Sequence, residues 1–311
     1  MKEKHNKINI LEIKGNSLDD GPGIRTVVFF KGCPLSCVWC HNPESKTLNS
    51  QIAFDAKECI ACDICLSHCS QNALSRKNPF YIDREKCTLC YDCVENCPSG
   101  ALSRVGKTMD MNDILLEIEK DLPFFKTSKG GVTFSGGEPT LNSDLLKDLL
   151  IACKSKNIHT LLETCGYFNW DYFQDNILPY IDMIYYDIKI MDAKAHQTFC
   201  GKDNQLILSN FEKLCGSIQN TNIHLIPRTP LIPNITATIE NIRAIAYFLN
   251  QHHISQAQLL EYNPLWLEKN NKIGISNPYA NNSEMTKWMT QQSVNQLQEI
   301  FQIAGIEKYD T

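Results

Sequence analysis

Gly32-Cys33-Pro34-Leu35-Ser36-Cys37-Val38-Trp39-Cys40-His41-Asn42-Pro43-Glu44 places three cysteines at a C-x3-C-x2-C spacing on one short loop. Three thiolates this close in sequence can hold three irons of a four-iron cluster, because iron–sulfur clusters take Cys thiolate ligands. No fourth Cys lies in the run. A cubane with three protein ligands leaves one iron open, and an open position lets a metal centre bind and activate a substrate. Structural zinc is the competing reading, although zinc knuckles usually pair C-x2-C with a matching second half. The run just before the loop, Thr26-Val27-Val28-Phe29-Phe30, is β-branched and aromatic and predicts a buried parallel strand. The cysteine loop therefore sits at the C-terminal end of that strand, the edge where α/β sheets and barrels collect their chemistry.

Further on, Cys59, Cys62, Cys65 and Cys69 form C-x2-C-x2-C-x3-C, and Cys87, Cys90, Cys93 and Cys97 repeat it, with Pro98 following. Ala73-Leu74 and Ala101-Leu102 stand at matching offsets, so the duplication extends past the ligands. This is the bacterial two-cluster ferredoxin pattern, in which the fourth Cys of each run ligates the other cluster. It assigns Cys59, Cys62, Cys65 and Cys97 to one 4Fe–4S cluster, and Cys87, Cys90, Cys93 and Cys69 to another. Ser70 stands where a Pro often follows the fourth Cys. Eleven of the 15 cysteines lie before residue 100 in these three groups. In a chain of 311 residues such clustering reads as metal ligation rather than as a disulfide framework. Cys153, Cys165, Cys200 and Cys215 read as core thiols, with Cys165 alone close in sequence to the site.

A net charge of −5 and a pI near 5.9 give no basic surface for nucleic acid. The charged start Met1-Lys2-Glu3-Lys4-His5-Asn6-Lys7 has no apolar run behind it, and no stretch approaches a membrane span. The expectation is a cytoplasmic, monomeric protein of anaerobic metabolism with no membrane partner.

After residue 105 helix and strand patterns alternate. Residues 8–15 predict a short strand; residues 131–134, 159–163, 183–189, 223–228 and 258–262 predict further strands. Helices are expected over 113–119 (capped by Asp110 or Asn112 and limited by Pro123), 143–156, 169–177, near Asp192, near Ser209, and over 238–250 and 285–304. Six strand–helix units in series imply parallel strands and a partial (βα)6 TIM-type barrel, open on one side. The expected domains are a barrel of residues 1–51 and 106–311 with a ferredoxin-like insert at 52–105. Each strand ends in something a core would not carry: the cysteine loop, Gly136-Gly137-Glu138, Glu163-Thr164, Asp187 with Lys189, Arg228, and Asn263. Together they describe a cleft for a zwitterionic amino acid with a nucleotide-like tail. The glycines allow close backbone approach, the acids suit an ammonium, and Lys189 suits a carboxylate.

The triplet resembles that of the radical S-adenosylmethionine (SAM) superfamily, where the open iron chelates the SAM amino and carboxylate groups. In that family an aromatic residue before the third Cys lies near the adenine; here it is Trp39. More narrowly, Asp-Gly-Pro-Gly-Ile-Arg-Thr at 20–26, Cys-x-Trp-Cys-His-Asn-Pro-Glu-Ser at 37–45 and Gly-Gly-Val-Thr-Phe-Ser-Gly-Gly-Glu-Pro at 130–139 are similar to the glycyl radical enzyme activating enzymes. The resemblance covers nearly the whole chain, including an insert found in a subset of that family.

What the resemblance implies is specific. Gly136, Gly137 and Glu138 would lie against the methionine moiety, and Glu163 and Thr164 near a monovalent cation and the SAM amino group. Asp187 would also reach the cation, Lys189 the SAM carboxylate, and Arg228 the site. Position 163 is Glu where the formate-lyase activase has Asp, and Asn263 stands where that enzyme has a His after Pro-Tyr. Asn263 can still bond a ribose hydroxyl but cannot titrate near neutral pH.

The implied activity is reductive cleavage of SAM to a 5′-deoxyadenosyl radical that takes hydrogen from a glycine Cα of a partner glycyl radical enzyme. Electrons would come from a flavodoxin- or ferredoxin-type reductant through the insert. No acid–base pair or nucleophile is required, so no side chain is assigned as catalytic. A radical SAM enzyme acting on a small molecule, and a pure electron carrier, are the competing functions. The electron carrier leaves the triplet and the strand ends without a purpose.

Overall fold

The computed structural model describes residues 7–310, so the charged start lies, Lys7 apart, outside the described residues. The chain opens with β1 (Ile8–Ser17) and β2 (Arg25–Phe30), which pair antiparallel. An excursion follows, built from β3 (Gln51–Phe54), α1 (Ile64–His68), α2 (Asp92–Glu95) and β4 (Leu102–Val105). The chain then returns through β5 (Lys107–Met109), α3 (Met111–Glu119) and α4 (Leu122–Ser128). Regular alternation begins with β6 (Gly131–Gly136), α5 (Ser143–Ser155), β7 (His159–Thr164), α6 (Trp170–Asn176) and β8 (Met183–Asp187). It continues with α7 (Ala193–Cys200), α8 (Gln205–Ile218), β9 (His224–Pro230), α9 (Ile239–Gln251) and β10 (Gln256–Leu260). The last elements are α10 (Trp266–Lys272), α11 (Gln291–Ile303) and β11 (Glu307–Lys308).

One sheet runs in the order β11-β10-β9-β8-β7-β6-β2-β1-β5, and its end strands do not pair with each other. From β2 to β10 the six neighbours are parallel and follow sequence order, with β1 antiparallel at one side. This is the expected partial barrel of six strand–helix units. Alternation along each strand sorts its side chains between two faces. Val28, Phe30, Val132, Phe134, Leu162, Ile184 and Tyr186 pack in the main core under the helices. Leu161, Met183, Tyr185 and Ile226 form a second, smaller cluster against Tyr309.

Local chemistry explains most boundaries. Asp110 caps α3, its carboxylate accepting from the Asp113 backbone while the Asp113 carboxylate accepts from the Asp110 N–H. Pro123, expected only to limit that helix, stands in the first turn of α4, where a missing N–H costs nothing. β10 begins two residues before the expected start because Gln256 pairs with Glu307 of β11. The final helix begins at Gln291, capped by Thr290, rather than at Met285. Met285 is instead a buried anchor whose carbonyl accepts the Tyr262 hydroxyl at 2.6 Å.

Residues 51–105 lie between β2 and the first barrel helix. They carry their own antiparallel pair, β3 with β4, and a small core of Ile52, Cys65, Tyr81, Ile82, Cys93 and Leu102. No described helix is long and apolar enough to cross a membrane.

Candidate functional site

The strand ends converge through register. Phe30 of β2 is level with Gly136 of β6, Thr164 of β7 with Tyr186 of β8, and Asp187 of β8 with Arg228 of β9. Glu163 and Asp187 follow Leu161 and Tyr185 at the strand period, and Arg228 follows Ile226, so all three continue the face of the smaller cluster. Arg228 ties them together. One guanidinium nitrogen donates to Glu163 at 2.7 Å, two others reach Asp187 at 3.2 and 3.3 Å, and the plane lies 4.6 Å from the Tyr185 ring centre. Lys189 donates to the second Asp187 oxygen at 2.7 Å, and Ser135 donates to the second Glu163 oxygen at 2.5 Å.

Two carboxylates and two cations thus form a balanced set. Burial alone would push the Asp187 carboxyl up, but Lys189 and Arg228 outweigh it and hold the pKa below the usual carboxylate value. Burial likewise works against the Lys189 ammonium, yet Asp187, Cys37 and Cys165 raise it above the ordinary lysine value. Lys189 therefore faces both the strand-end carboxylates and the cysteine loop. The two acids expected at a monovalent cation have their charge met here by Arg228 and Lys189.

The cysteine loop is held from several sides. The Gly32 N–H donates to Ser45, the Glu138 N–H donates to the Gly32 carbonyl, and Lys46 Nζ donates to the Cys37 carbonyl at 2.8 Å. Across from it, the C-terminal end of α7 docks through two backbone bonds, Ser36 N–H to the Cys200 carbonyl at 2.8 Å and Val38 N–H to Phe199 at 3.0 Å. This brings in thiols that the sequence reading set aside. Cys200, fully buried, stands beside Cys37, and Cys165, also buried, stands beside Cys33. Cys200, then Lys189 and Lys46, outweigh burial and lower the Cys37 thiol to about 7, toward the thiolate that ligates metal. Burial pushes Cys40 up to about 12. Proximity of Cys165 was suggested by its place after β7, whereas nothing local to Cys200 announces its neighbour.

Several residues expected at the ligand also hold the local structure. Both glycines permit close backbone approach: a Cβ at Gly136 would stand 2.3 Å from the Phe30 nitrogen of β2, and one at Gly137 2.1 Å from the Gly32 carbonyl oxygen of the cysteine loop. Glu138 is 0% exposed, and its carboxylate accepts from Thr140 N–H and hydroxyl, the Thr164 hydroxyl and the Cys165 N–H. Thr164 lies one residue from Glu163 and so points to the opposite face, where it meets Glu138. Trp39 is buried in the main core, and Asn263 accepts from the Leu265 N–H at 2.9 Å in the turn before α10. His41 is pushed below its ordinary pKa by burial and then by Lys269.

In residues 51–105, Cys59, Cys62, Cys65 and Cys97 line one cavity together with Tyr81, whose hydroxyl lies 3.0 Å from Cys65 Sγ. Cys93 in turn is raised to about 11, by burial first and then by Cys87, Cys69 and Cys90. Cys97 thus shares the cavity of the first run, and Cys69 and Cys65 both lie near Cys93 of the second. Each run also holds two non-glycine residues in the left-handed region, Ala61 and Asp63 in the first, Leu89 and Tyr91 in the second. Such residues cost about 1–3 kcal/mol each and persist where surroundings over-determine them. Alternating right- and left-handed residues turn successive N–H groups inward, the concavity in which anionic iron–sulfur clusters sit. Among the described residues no three His, Cys, Asp or Glu side chains converge on a single metal-ion position.

A family model described as the Radical SAM superfamily matches residues 27–231. The trans-4-hydroxy-L-proline dehydratase activating enzyme of Clostridioides difficile is 41% identical over 268 residues, covering 85% of this chain and 87% of the relative. The (2S)-3-sulfopropanediol dehydratase activating enzyme of Klebsiella oxytoca is 38% identical over 307 residues, covering 96% and 95%. Among solved structures, a radical SAM methyltransferase from Sphaerobacter thermophilus aligns with a TM-score of 0.53 at 9% identity, over 97% of this chain and 76% of that one, a likeness of fold.

Proposed function

This chain belongs to the radical SAM superfamily and, within it, to the glycyl radical enzyme activating enzymes, and from that premise we propose a three-cluster activase whose strand-end ion set receives SAM. Its radical centre is a 4Fe–4S cluster with SAM, and it acts on a glycyl radical enzyme. When bound, cluster and SAM would supply the chemistry, a one-electron reductive cleavage of the sulfonium whose adenosyl product would take a hydrogen atom from a glycine Cα of the partner.

The observation that carries the residue assignment is Lys189, which faces Asp187 on one side and Cys37 on the other. Cys33, Cys37 and Cys40 would hold the site cluster. A zwitterionic methionine group can enter the ion set without changing its net charge, its carboxylate taking Lys189 while its ammonium takes Asp187 or Glu163. A monovalent cation would compete with Arg228 for the same two acids. Trp39 and Asn263 remain the residues proposed at the adenosine end. Gly136, Gly137 and Glu138 remain proposed against the methionine moiety and Thr164 near its ammonium, and Gly137, Glu138 and Thr164 also tie the cysteine loop, β6 and β7 together.

Residues 52–105 form the ferredoxin-like domain of this reading, holding a second and a third 4Fe–4S cluster. The paired left-handed residues at 61, 63, 89 and 91 support it. A flavodoxin- or ferredoxin-type donor would reduce these clusters in the cytoplasm, with the activase acting as a monomer. The test is anaerobic reconstitution with iron, sulfide, SAM and dithionite, scored for 5′-deoxyadenosine and for a glycyl radical signal across a panel of glycyl radical enzymes. Twelve irons per chain, 5′-deoxyadenosine formation and a radical on one of the enzymes are expected. A fully loaded protein that yields no 5′-deoxyadenosine would sink the proposal.

A further inference from the structure

The smaller buried cluster, Leu161, Met183, Tyr185 and Ile226, lies on the same face of the sheet as Glu163, Asp187 and Arg228. Tyr185 is its one polar member. It is 1% exposed and carries the Arg228 guanidinium 4.6 Å over its ring, directly beneath the ion set. Its hydroxyl makes no hydrogen bond among the described residues. A buried hydroxyl without a partner is uncommon in native proteins, and a ligand that fills the site is one of the few physical explanations.

The side chain that closes on this cluster comes from β11. Lys308 is level with Ala257 of β10, and the Tyr309 N–H donates to the Ala257 carbonyl at 2.9 Å, which carries the ladder one residue further. Lys308 lines a cavity with Ala257, Leu259 and Phe301 on the helix side of the sheet, so its neighbour Tyr309 turns to the inner face. There Tyr309 packs on the cluster, its ring centre 6.2 Å from that of Tyr185 at an interplanar angle of 69°. Burial first, and then Tyr309, push the Tyr185 hydroxyl above its ordinary pKa, so Tyr309 stands at that hydroxyl without pairing with it. Two strands separate β11 from β8 in the sheet, and the contact is therefore made across its concave face. β11 is also the edge strand on the open side, so Tyr309 reaches inward from the rim of the opening.

The two sides of this contact are held very differently. Leu161, Met183, Tyr185 and Ile226 are 0–4% exposed and belong to central strands. Tyr309 is half-buried and follows a strand of two exposed residues. Lys308 pairs with Asp310 of the same tail rather than with the barrel. A short edge segment with few buried contacts opens at far lower cost than a central strand.

We infer that Tyr309 is a gate on the inner face of the sheet: in the free protein its ring covers Tyr185 beneath the ion set, and it withdraws when the glycine-bearing segment of the partner enzyme enters, whose backbone carbonyl then accepts from the Tyr185 hydroxyl. The inference rests on the reading of the ion set as the SAM site. A glycine Cα has to come against that site to give up its hydrogen, and the unpaired side of the sheet is the opening that leads there. Between encounters the closed gate keeps water from the site. It also makes the entry-competent form a fraction of the protein and weakens apparent partner affinity by that fraction.

The experiment uses full-length, reconstituted protein with SAM and dithionite, first alone and then titrated with the glycyl radical enzyme of the panel that accepts the radical. Tyr309→Ala is expected to lower the apparent KM for that enzyme about three- to tenfold, the worth of one packed aromatic pair, with the plateau rate unchanged. Without a partner it should release 5′-deoxyadenosine several-fold faster than wild type, because its site stands open. Tyr309→Phe keeps the ring and should match wild type in both readouts. Tyr185→Phe removes only the hydroxyl and should raise the KM about fivefold, the worth of one neutral hydrogen bond. A Tyr309→Ala protein unchanged in both readouts or raised in KM, or a Tyr309→Phe protein that behaves like alanine, overturns the gate. A wild-type KM in Tyr185→Phe overturns the hydroxyl contact. Where no enzyme of the panel takes the radical, the partner-free rate of Tyr309→Ala decides alone. Wild-type protein that cleaves no SAM overturns the reading of the site itself, which is a separate result.

Discussion

The Cys165 backbone N–H donates to the Glu138 carboxylate at 2.7 Å, joining the end of β7 to the turn after β6. Glu138 is fully buried and also accepts from Thr140 and Thr164, so every donor around it depends on that one carboxylate. Glu138→Gln turns an amide N–H₂ toward donors and leaves at least one unpaired. A loss of about 3 kcal/mol in urea unfolding is expected, the cost of stranding donors from a charged acceptor.

Gly137→Ala tests the same corner from the backbone. A methyl there meets the Gly32 carbonyl oxygen at 2.1 Å, and neither backbone can yield without shifting the cysteine loop. Reduced iron retention at the site cluster is expected, with the insert signals in EPR unchanged.

Cys165 and Cys200 stand beside two proposed cluster ligands, Cys33 and Cys37. If they are donors only, Cys165→Ala and Cys200→Ala retain full iron and shift the site cluster to a more negative midpoint, as hydrogen bonds to cluster sulfurs tune potential. A Cys165→Ala protein that loses the site cluster would instead identify a fourth ligand.

Lys189→Met removes the cation shared by Asp187 and the cysteine loop. SAM affinity, read by equilibrium dialysis on reconstituted protein, should fall by about 10- to 100-fold, the range of a charged hydrogen bond. Arg228→Gln acts differently: it strands Glu163 and Asp187, both largely buried, and should cost about 3 kcal/mol in stability before SAM is added.

Lys31 gives a pH test. Burial pushes its ammonium down to about 8, partly opposed by Glu44. Between about pH 8 and the unfolded lysine value near 10.4 the unfolded chain holds the extra proton, so stability from this group rises with pH. Wild type minus Lys31→Met should therefore grow across that window by on the order of 1 kcal/mol in denaturant titrations. A flat difference would show that Lys31 stays charged.

What the sequence alone determined was the chemistry that is contiguous in the chain. The cysteine spacings, the six strand–helix units and the strand-end acids and bases are all read within a few residues, because ligand loops and period-two strands are local patterns. Asp187 and Arg228 were visible for that reason, and the register then made them partners. Tertiary structure decided what depends on packing between distant segments. Thr164 turned out to serve Glu138 because its neighbour Glu163 took the opposite face, and α7 carried Cys200 to Cys37 from more than 160 residues away. Ala61, Asp63, Leu89 and Tyr91 adopt left-handed backbone with none of the glycines that would signal it, because the surrounding fold rather than local residue type sets those turns. Arg84 reads as one more surface charge until Gly274 is brought against it.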